Sequence, residues 1–380
     1  MTLLVELLSN QHVFFAGVSK SWRSAWGDLP KNTQAVTADT SVSQLQFSFD
    51  SGLRRRPMLC ELIADRCGLA ILQCAHSNGC TLPYESCFKA AARDQLEIVQ
   101  WALGENSWWR NFLCNAAAAG GSLRILRWAK SNDCPWDGNT CSKAAGSGHL
   151  NILQWAHSEN CPWNSRTCSS AAGGGHLGIL KWARANGCPW DGGTCSEASG
   201  SGNIAILQWA RSEGCPWDGE TCSKAAERGD LGILQWARAH GCDWDYRTCD
   251  GAAANGHLEV LQWARENNAN CPWDYSTCSE AASHGRFEVL KWARCNGCPW
   301  DESTCSNAAE AERLDILQWA RAQGCPWDEK TCSEAAGRGN LEILKWARGN
   351  ECPWDEGTCS GAAMSGRLDI LQWARAEGCP

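Results

Sequence analysis

A fixed repeat is the feature of this sequence that most limits how it can fold. Cysteine recurs at one place of the repeat from Cys60 to Cys359, in steps of 27 residues with one step of 29. The longer step follows Arg265, where RENNANC has two residues more than its sister stretches. These cysteines mark twelve repeats. A degenerate repeat is predicted before them, since Phe47 lies 27 residues ahead of Cys74, at the same place of the repeat. Such a period is typical of a solenoid, whose units bury their apolar faces against one another.

Each repeat is predicted to be a pair of α-helices joined by a tight turn. In the repeat of Cys141, we expect Thr140 to begin the first helix, because its hydroxyl can accept from the free amides there. Gly148 is expected to end that helix, because glycine adopts the left-handed conformation at little cost. The second helix, HLNILQWAHS, begins at His149 and ends before Pro162. Its apolar residues cover most of its circumference, which predicts a helix buried between two neighbours.

The stretch DGNTCSKAAGSGHLNILQWA, from Asp137 to Ala156, resembles the ankyrin repeat. The resemblance covers residues 33–380, with cysteine in place of the family's proline. The segment that forms the family's β-hairpin finger is reduced to GCPW. The resemblance implies an all-α, ankyrin-like solenoid of stacked helical hairpins with much-shortened β-hairpin fingers. It also implies a protein-binding scaffold that holds its partner on a concave face.

Residues 1–32 lie outside the repeats and are assigned to a separate N-terminal segment. Its stretch LLSNQHVFFAGVSKSWRSAWGDLP resembles the second half of an F-box, through the pattern Val18, Ser19, Lys20, Trp22 and Arg23. One interpretation is a helical cap that shields the first repeat. The alternative is an F-box-like segment, which would make the protein a substrate receptor of a ubiquitin ligase.

Cysteine and tryptophan recur in the stretch CPWDxxTC, which raises three interpretations for the thiols. Zinc is disfavoured, because six residues separate the two cysteines and no histidine recurs nearby to complete a tetrahedral set. A ladder of disulfides would need an oxidising compartment. We therefore expect free, buried thiols, with no metal site and no cofactor. The tryptophans are expected to form core between repeats rather than a stacking platform for nucleic acid.

The histidines do not point to catalysis. His149, His176 and His257 each begin a second helix, and sister repeats carry Asn203, Asp230 or Arg286 at the same place. A catalytic or metal-binding role would not tolerate that exchange. No Ser/His/Asp set or phosphate-binding loop is present either, so the sequence predicts no catalytic residue and no enzymatic activity.

The charge and the N-terminus bound the choice of partner. The formal net charge of −8 argues against nucleic acid, so the expected partner is a protein. The start MTLLVELLSN has neither the pattern of a signal peptide nor that of a membrane span. The sequence therefore predicts a cytoplasmic or nuclear protein that does not engage a membrane.

A recognition patch is predicted where the repeats depart from one another. Tyrosine occupies the same loop position in two adjacent repeats, where sister repeats have glycine or glutamate, and charged residues collect on the variable face of the first helices. Tyrosine and arginine often anchor protein interfaces. The predicted partner-binding residues are Lys224, Arg228, Tyr246, Arg247, Tyr275 and His284.

The last repeat has the apolar residues of an interior one, although no further repeat follows in this sequence. Leu371 and Trp373 thus have no neighbour to cover them. Either the array continues in a longer chain, or this end associates with another molecule, including a second copy.

Overall fold

The computed structural model describes residues 41–50, 68–80, 84–105, 109–265 and 270–380. Within these ranges the chain forms 24 α-helices and no strand. The predicted all-α fold of stacked helical hairpins is thereby confirmed. The predictions for the N-terminal segment 1–32 and for the first helix of the repeat of Cys60 fall outside the described residues.

The helices fall into two compact units, residues 1–188 and residues 189–380. The first unit contains α1 Val42–Asp50, α2 Leu69–Ser77, α3 Tyr84–Ala92, α4 Leu96–Glu105, α5 Arg110–Gly120, α6 Leu123–Ser131, α7 Gly138–Gly146, α8 Leu150–Ser158, α9 Ser165–Gly173 and α10 Leu177–Ala185. The second unit contains α11 Gly192–Gly200, α12 Ile204–Ser212, α13 Gly219–Arg228, α14 Leu231–Ala239, α15 Tyr246–Asn255, α16 Leu258–Arg265, α17 Tyr275–Ser283, α18 Phe287–Cys295, α19 Glu302–Glu310, α20 Leu314–Ala322, α21 Glu329–Gly337, α22 Leu341–Gly349, α23 Glu356–Met364 and α24 Leu368–Ala376.

Stacking within each unit joins every first helix to the first helices of the neighbouring repeats. In the first unit α5 packs between α3 and α7, and in the second unit α15 packs between α13 and α17. Each first helix also packs on the second helix of its own hairpin. The predicted degenerate repeat is represented by its second helix, α1, which packs on the second helix of the next repeat, α2, and Leu45 is buried one period ahead of the buried Leu72.

The first helices begin with an aspartate or asparagine cap rather than with threonine. The Asp137 carboxylate accepts from the Asn139 amide at 2.9 Å, and its backbone is extended as a cap requires. Thr140 lies one turn further on, fully buried, and its hydroxyl donates to the Asn115 side chain at 2.8 Å. The expectation that Thr140 is the cap is therefore wrong. Asp137 caps the helix, because its short side chain directly precedes the free amides. Gly148 ends the helix as predicted, with φ +87°.

The core between helices is aliphatic, and the tryptophans line its edge. Ile152, Leu153 and Ala156 of α8 are fully buried, whereas Trp155 and Trp163 are only half-buried. The tryptophan after Cys-Pro meets the second-helix tryptophan of the next repeat edge to face, as Trp163 does with Trp182 at 5.9 Å between ring centroids. The tryptophans thus pack between helices as predicted, at the edge of the core rather than in its centre.

Candidate functional site

The six predicted partner-binding residues lie on three consecutive first helices of the second unit. Lys224 and Arg228 belong to α13, Tyr246 and Arg247 begin α15, and Tyr275 begins α17, which His284 follows as its C-cap. The three helices pack side by side. The structure therefore gathers the predicted residues along one run of adjacent elements.

An open groove of about 340 Å³ runs along these helices. Only two of the predicted residues, Lys224 and Arg247, line it. Carboxylates dominate the rest of its charged lining, which consists of Glu220, Glu227, Asp250 and Glu280. The sequence analysis missed all four of these acids.

Both cations in the groove are already paired with acids. Lys224 Nζ lies 2.9 Å from Glu227 Oε2, and this hydrogen bond raises the pKa of Lys224. Arg247 donates to the Asp245 carboxylate through both Nε and Nη2, and the Nη2–oxygen distance is 2.7 Å. That pair lowers the pKa of Asp245. Because these pairs are exposed, they contribute little to stability and can be exchanged for contacts with a partner.

Asp250 is the best-anchored acid of the groove. Its carboxylate accepts from the Ser276 hydroxyl at 2.5 Å and from the Thr277 hydroxyl at 2.7 Å, both in the first turn of α17. Partial burial raises the pKa of Asp250, against the opposing effect of these two hydrogen bonds. Asp250 thus ties α15 to α17 while holding a carboxylate at the groove.

The sequence contains the signal that would have found Asp250. Eight sister repeats have serine directly after the second cysteine, as in Ser223 and Ser279, and this repeat alone has aspartate there. The next residue, Gly251, replaces a larger side chain in most sister repeats. A Cβ at Gly251 would lie 2.8 Å from Glu227 Cγ, so the glycine lets α13 and α15 approach closely.

The remaining four predicted residues flank the groove or point elsewhere. Tyr246 and Tyr275 are 47% and 52% exposed at the starts of the two helices that supply Arg247 and Glu280. His284 Nδ1 lies 3.6 Å from a carboxylate oxygen of Glu280. Arg228 lies instead against Gly202 of the preceding repeat, where its guanidinium fills the space beside the glycine.

Among the described residues, no group of three or more His, Cys, Asp or Glu side chains is arranged to hold a metal ion. In the same residues, no helix is both long and apolar enough to cross a membrane.

No protein-family model and no curated protein matches this chain. Similar solved structures include the pentatricopeptide repeat protein PPR10 in complex with an 18-nucleotide psaJ RNA element, and a triple cysteine-to-serine variant of that protein with the same RNA. Each is 12% identical, with a TM-score of 0.37, over 88% of this chain. This chain spans 63% of the length of either one.

The expectation that excluded nucleic acid as a partner is wrong in the light of these neighbours, because they are helical repeat proteins solved with RNA bound. Its physical weakness lies in the use of net charge. A sum over the whole chain does not describe the surface that any one face of a repeat array presents.

Proposed function

We propose that this chain is a non-enzymatic scaffold that binds a protein partner at the groove of α13, α15 and α17. The observation that carries the proposal is the pair of half-exposed tyrosines, Tyr246 and Tyr275, beside a groove lined with exchangeable ion pairs. Nothing in the scaffold requires tyrosine there, since sister repeats have Gly138, Gly192 or Glu302 at the same place. Tyrosine supplies a large contact area at low entropic cost, as interface anchors do.

The charge of the groove indicates the kind of segment that the partner presents. Four carboxylates stand against two cations in the lining, and both cations are neutralised locally. A polypeptide segment with lysine or arginine complements that surface. The ankyrin-like pattern of the repeats and the many free thiols fit a cytoplasmic or nuclear scaffold of this kind.

The first prediction tests the tyrosines. A peptide selected from a display library on the full chain is titrated against wild type and against the double variant Tyr246→Ala, Tyr275→Ala. We expect the variant to lose about 2 kcal/mol of binding free energy with little change in melting temperature, because both side chains are exposed. The control changes Ser147 and Ser201 to Ala, which in other repeats occupy the place of Arg228 and His284.

Equal binding by the tyrosine variant, or an equal loss in the serine control, would place the interface elsewhere. Selective retention of RNA by the wild-type chain, abolished by nuclease, would replace the protein-binding proposal altogether.

The F-box resemblance of residues 7–30 supports a second candidate, a substrate receptor of a ubiquitin ligase. In that case the repeats would bind the substrate and residues 1–32 would bind the ligase adaptor. The full chain and a chain lacking residues 1–32 are compared in a pulldown with the adaptor. Retention by the full chain alone supports this candidate, and no retention by either chain excludes it.

A further inference from the structure

Charge is divided unevenly along the repeats. Residues 109–188 carry eight lysine and arginine side chains against three aspartates and glutamates, whereas residues 189–380 carry 17 against 29. The formal net charge of −8 therefore hides a basic run of repeats beside a strongly acidic one. Every copy of the chain thus carries two oppositely charged surfaces, and opposite potentials are what steer two proteins together.

The basic run concentrates its cations on one helix. α6 places Arg124, Arg127 and Lys130 three residues apart, so the three side chains share one side of the helix, and all three are exposed. We call these three side chains the α6 ridge. Every other described second helix has an uncharged or acidic residue at one or more of these places, as α8 has Asn151 and Gln154. The α6 ridge is therefore not part of the scaffold pattern.

The cations of the α6 ridge are available to a partner. Arg127 makes no hydrogen bond or ion pair with any described residue. Arg124 pairs with Asp94 at 3.1 Å, but its side chain stays 53% exposed, and exposed pairs of this kind exchange readily. The Lys130 ammonium lies 4.2 Å from the centroid of the Trp136 ring, a contact that orients the charge without neutralising it.

The α6 ridge matches the acidic groove in spacing as well as in charge. Six residues of helix rise about 9 Å between Arg124 and Lys130. Helices that pack side by side, as α13, α15 and α17 do, lie about 8 to 10 Å apart. An α6 ridge laid across the groove therefore brings its two end cations to neighbouring helices. The carboxylates that it meets there are Glu227 on α13, Asp250 on α15 and Glu280 on α17.

We propose that the α6 ridge of one copy of this chain occupies the groove of α13, α15 and α17 of a second copy. The inference rests on the groove proposed above and names its occupant. Nucleic acid suits the α6 ridge less well, because the acidic excess of residues 189–380 in the same chain repels a polyanion but attracts a basic surface. Since ridge and groove are different surfaces, the contact is heterologous, and one copy can bind a neighbour through each of them.

Sedimentation velocity of the full chain tests the contact. We expect dimers and larger species that grow with protein concentration at low ionic strength. Raising the salt to about 0.5 M should lower the association constant by about tenfold or more, because exposed charges are screened over a few ångströms under those conditions.

Two variants built from sister residues separate the two surfaces. The ridge variant Arg124→Asn, Arg127→Gln takes the residues of α8, and the groove variant Glu227→Ala, Glu280→Asn takes residues of other repeats at those places. We expect each variant alone to be a monomer at concentrations where the wild type associates. Mixed in equal amounts, they should form a 1:1 dimer and nothing larger, because the groove of the first and the ridge of the second are intact. Formation of that dimer also shows that both variants are folded.

A matched control removes two cations from the basic run outside α6. Lys143→Ser, Arg166→Asn lowers the charge as much as the ridge variant does and also uses sister residues, here Ser170 and Asn139. We expect its association constant to stay within about twofold of the wild-type value, because only the α6 ridge enters the groove. An equal loss in this control would show that net charge, rather than the α6 ridge, drives association.

Three further results would overturn the proposal: a wild-type chain that remains a monomer at low ionic strength up to about 0.1 mM, association that nuclease removes, or mixed variants that do not dimerise. The display-selected peptide separates this proposal from the proposed function. A chain that binds the peptide at the groove without self-associating would reject only the second copy as occupant. A chain that does neither would reject both.

Discussion

In several repeats, the residue that begins the second helix donates a hydrogen bond to a backbone carbonyl of the preceding repeat. His149 Nε2 lies 3.2 Å from the carbonyl oxygen of Ala119, and Arg313 donates to the carbonyl of Gly285 at 2.8 Å. Asp230 and Asn340 cap their own helices instead, and the Asn203 side chain donates to the Ser201 hydroxyl. Histidine and arginine are therefore interchangeable donors, which explains why both residue types occur at this place in the repeats.

Glycine in the preceding repeat makes room for these donors. A Cβ at Gly148 would lie 2.8 Å from the His176 ring, and the backbone of Gly148 is left-handed at φ +87°. Asp94 and Glu312 occupy the place of this glycine in two repeats, and the residue that begins the second helix of the following repeat is then the smaller Ser122 or Asn340.

A pair of substitutions separates these two reasons for glycine. Gly187 is also left-handed, at φ +82°, but a Cβ there meets nothing. We expect Gly187→Ala to cost about 1 kcal/mol of unfolding free energy from backbone strain alone. Gly148→Ala should cost about 1 kcal/mol more, because it also displaces His176. Urea unfolding of both variants measures the difference, and equal losses would show that the ring yields freely.

At the scale of elements, Asp250 is the tie between α15 and α17. Sister threonines such as Thr248 and Thr304 have buried hydroxyls without an acceptor, whereas Thr277 has Asp250. To accept this hydrogen bond, the Asp250 carboxylate lies partly buried and close to other acids. Both effects raise the pKa of Asp250. Burial therefore disfavours the ionised carboxylate, whereas the two hydrogen bonds from the hydroxyls favour it.

The pH dependence of stability follows from that opposition. Because the folded-state pKa lies above the ordinary value of 3.8, Asp250 favours the folded state at low pH and loses that contribution as pH rises through the folded-state pKa. Asp250→Asn keeps an acceptor for Thr277 and removes the charge. We expect this variant to be more stable than wild type at neutral pH, with a gap that closes on acidification.

Chemical denaturation of both proteins at neutral and acidic pH measures the gap. Asp250→Ser, which restores the sister residue, should remove the same pH dependence without supplying the acceptor. A gap between wild type and Asp250→Asn that is constant with pH would show that the carboxylate titrates normally.

The repeat period was enough to predict the hairpins, the helix ends at glycine and the run of helices that carries the candidate site. It did not show which residue caps the first helix, because Asp137 and Thr140 both suit the role by residue type. It also did not find the acidic lining of the groove. Glu227 and Glu280 belong to different repeats, and only the packing of α13, α15 and α17 brings them to one surface.

At the scale of the whole array, nearest-neighbour contacts imply that entire repeats can be removed in register. Deletion of residues 301–327 or of residues 328–354 each removes 27 residues and keeps the period. In the first deletion, the repeat of Gly285 is followed by the repeat whose second helix begins with Asn340, and both residues are small. In the second deletion, the repeat of Glu312 is followed by the repeat whose second helix begins with Arg367. Elsewhere in the array, an arginine at this place follows a repeat with glycine at the position of Glu312.

We expect the second deletion to be less stable than the first by on the order of 1 kcal/mol, since an arginine must be displaced. Glu312→Gly in the second deletion should recover most of that difference. Thermal and urea unfolding of the three proteins measures it. Equal stability of the two deletions would mean that neighbouring repeats do not constrain each other at this place.

The tryptophan pairs give the array an optical property. In the second unit, edge-to-face pairs recur in each repeat from Trp190–Trp209 to Trp354–Trp373, at 5.7 to 6.0 Å between ring centroids. Indole rings this close exchange excitation faster than they emit, so a photon absorbed by one ring is emitted by another of different orientation. The intrinsic fluorescence of the folded chain is therefore depolarised by energy migration rather than by rotation, and it regains polarisation when excited at the long-wavelength edge of the indole absorption.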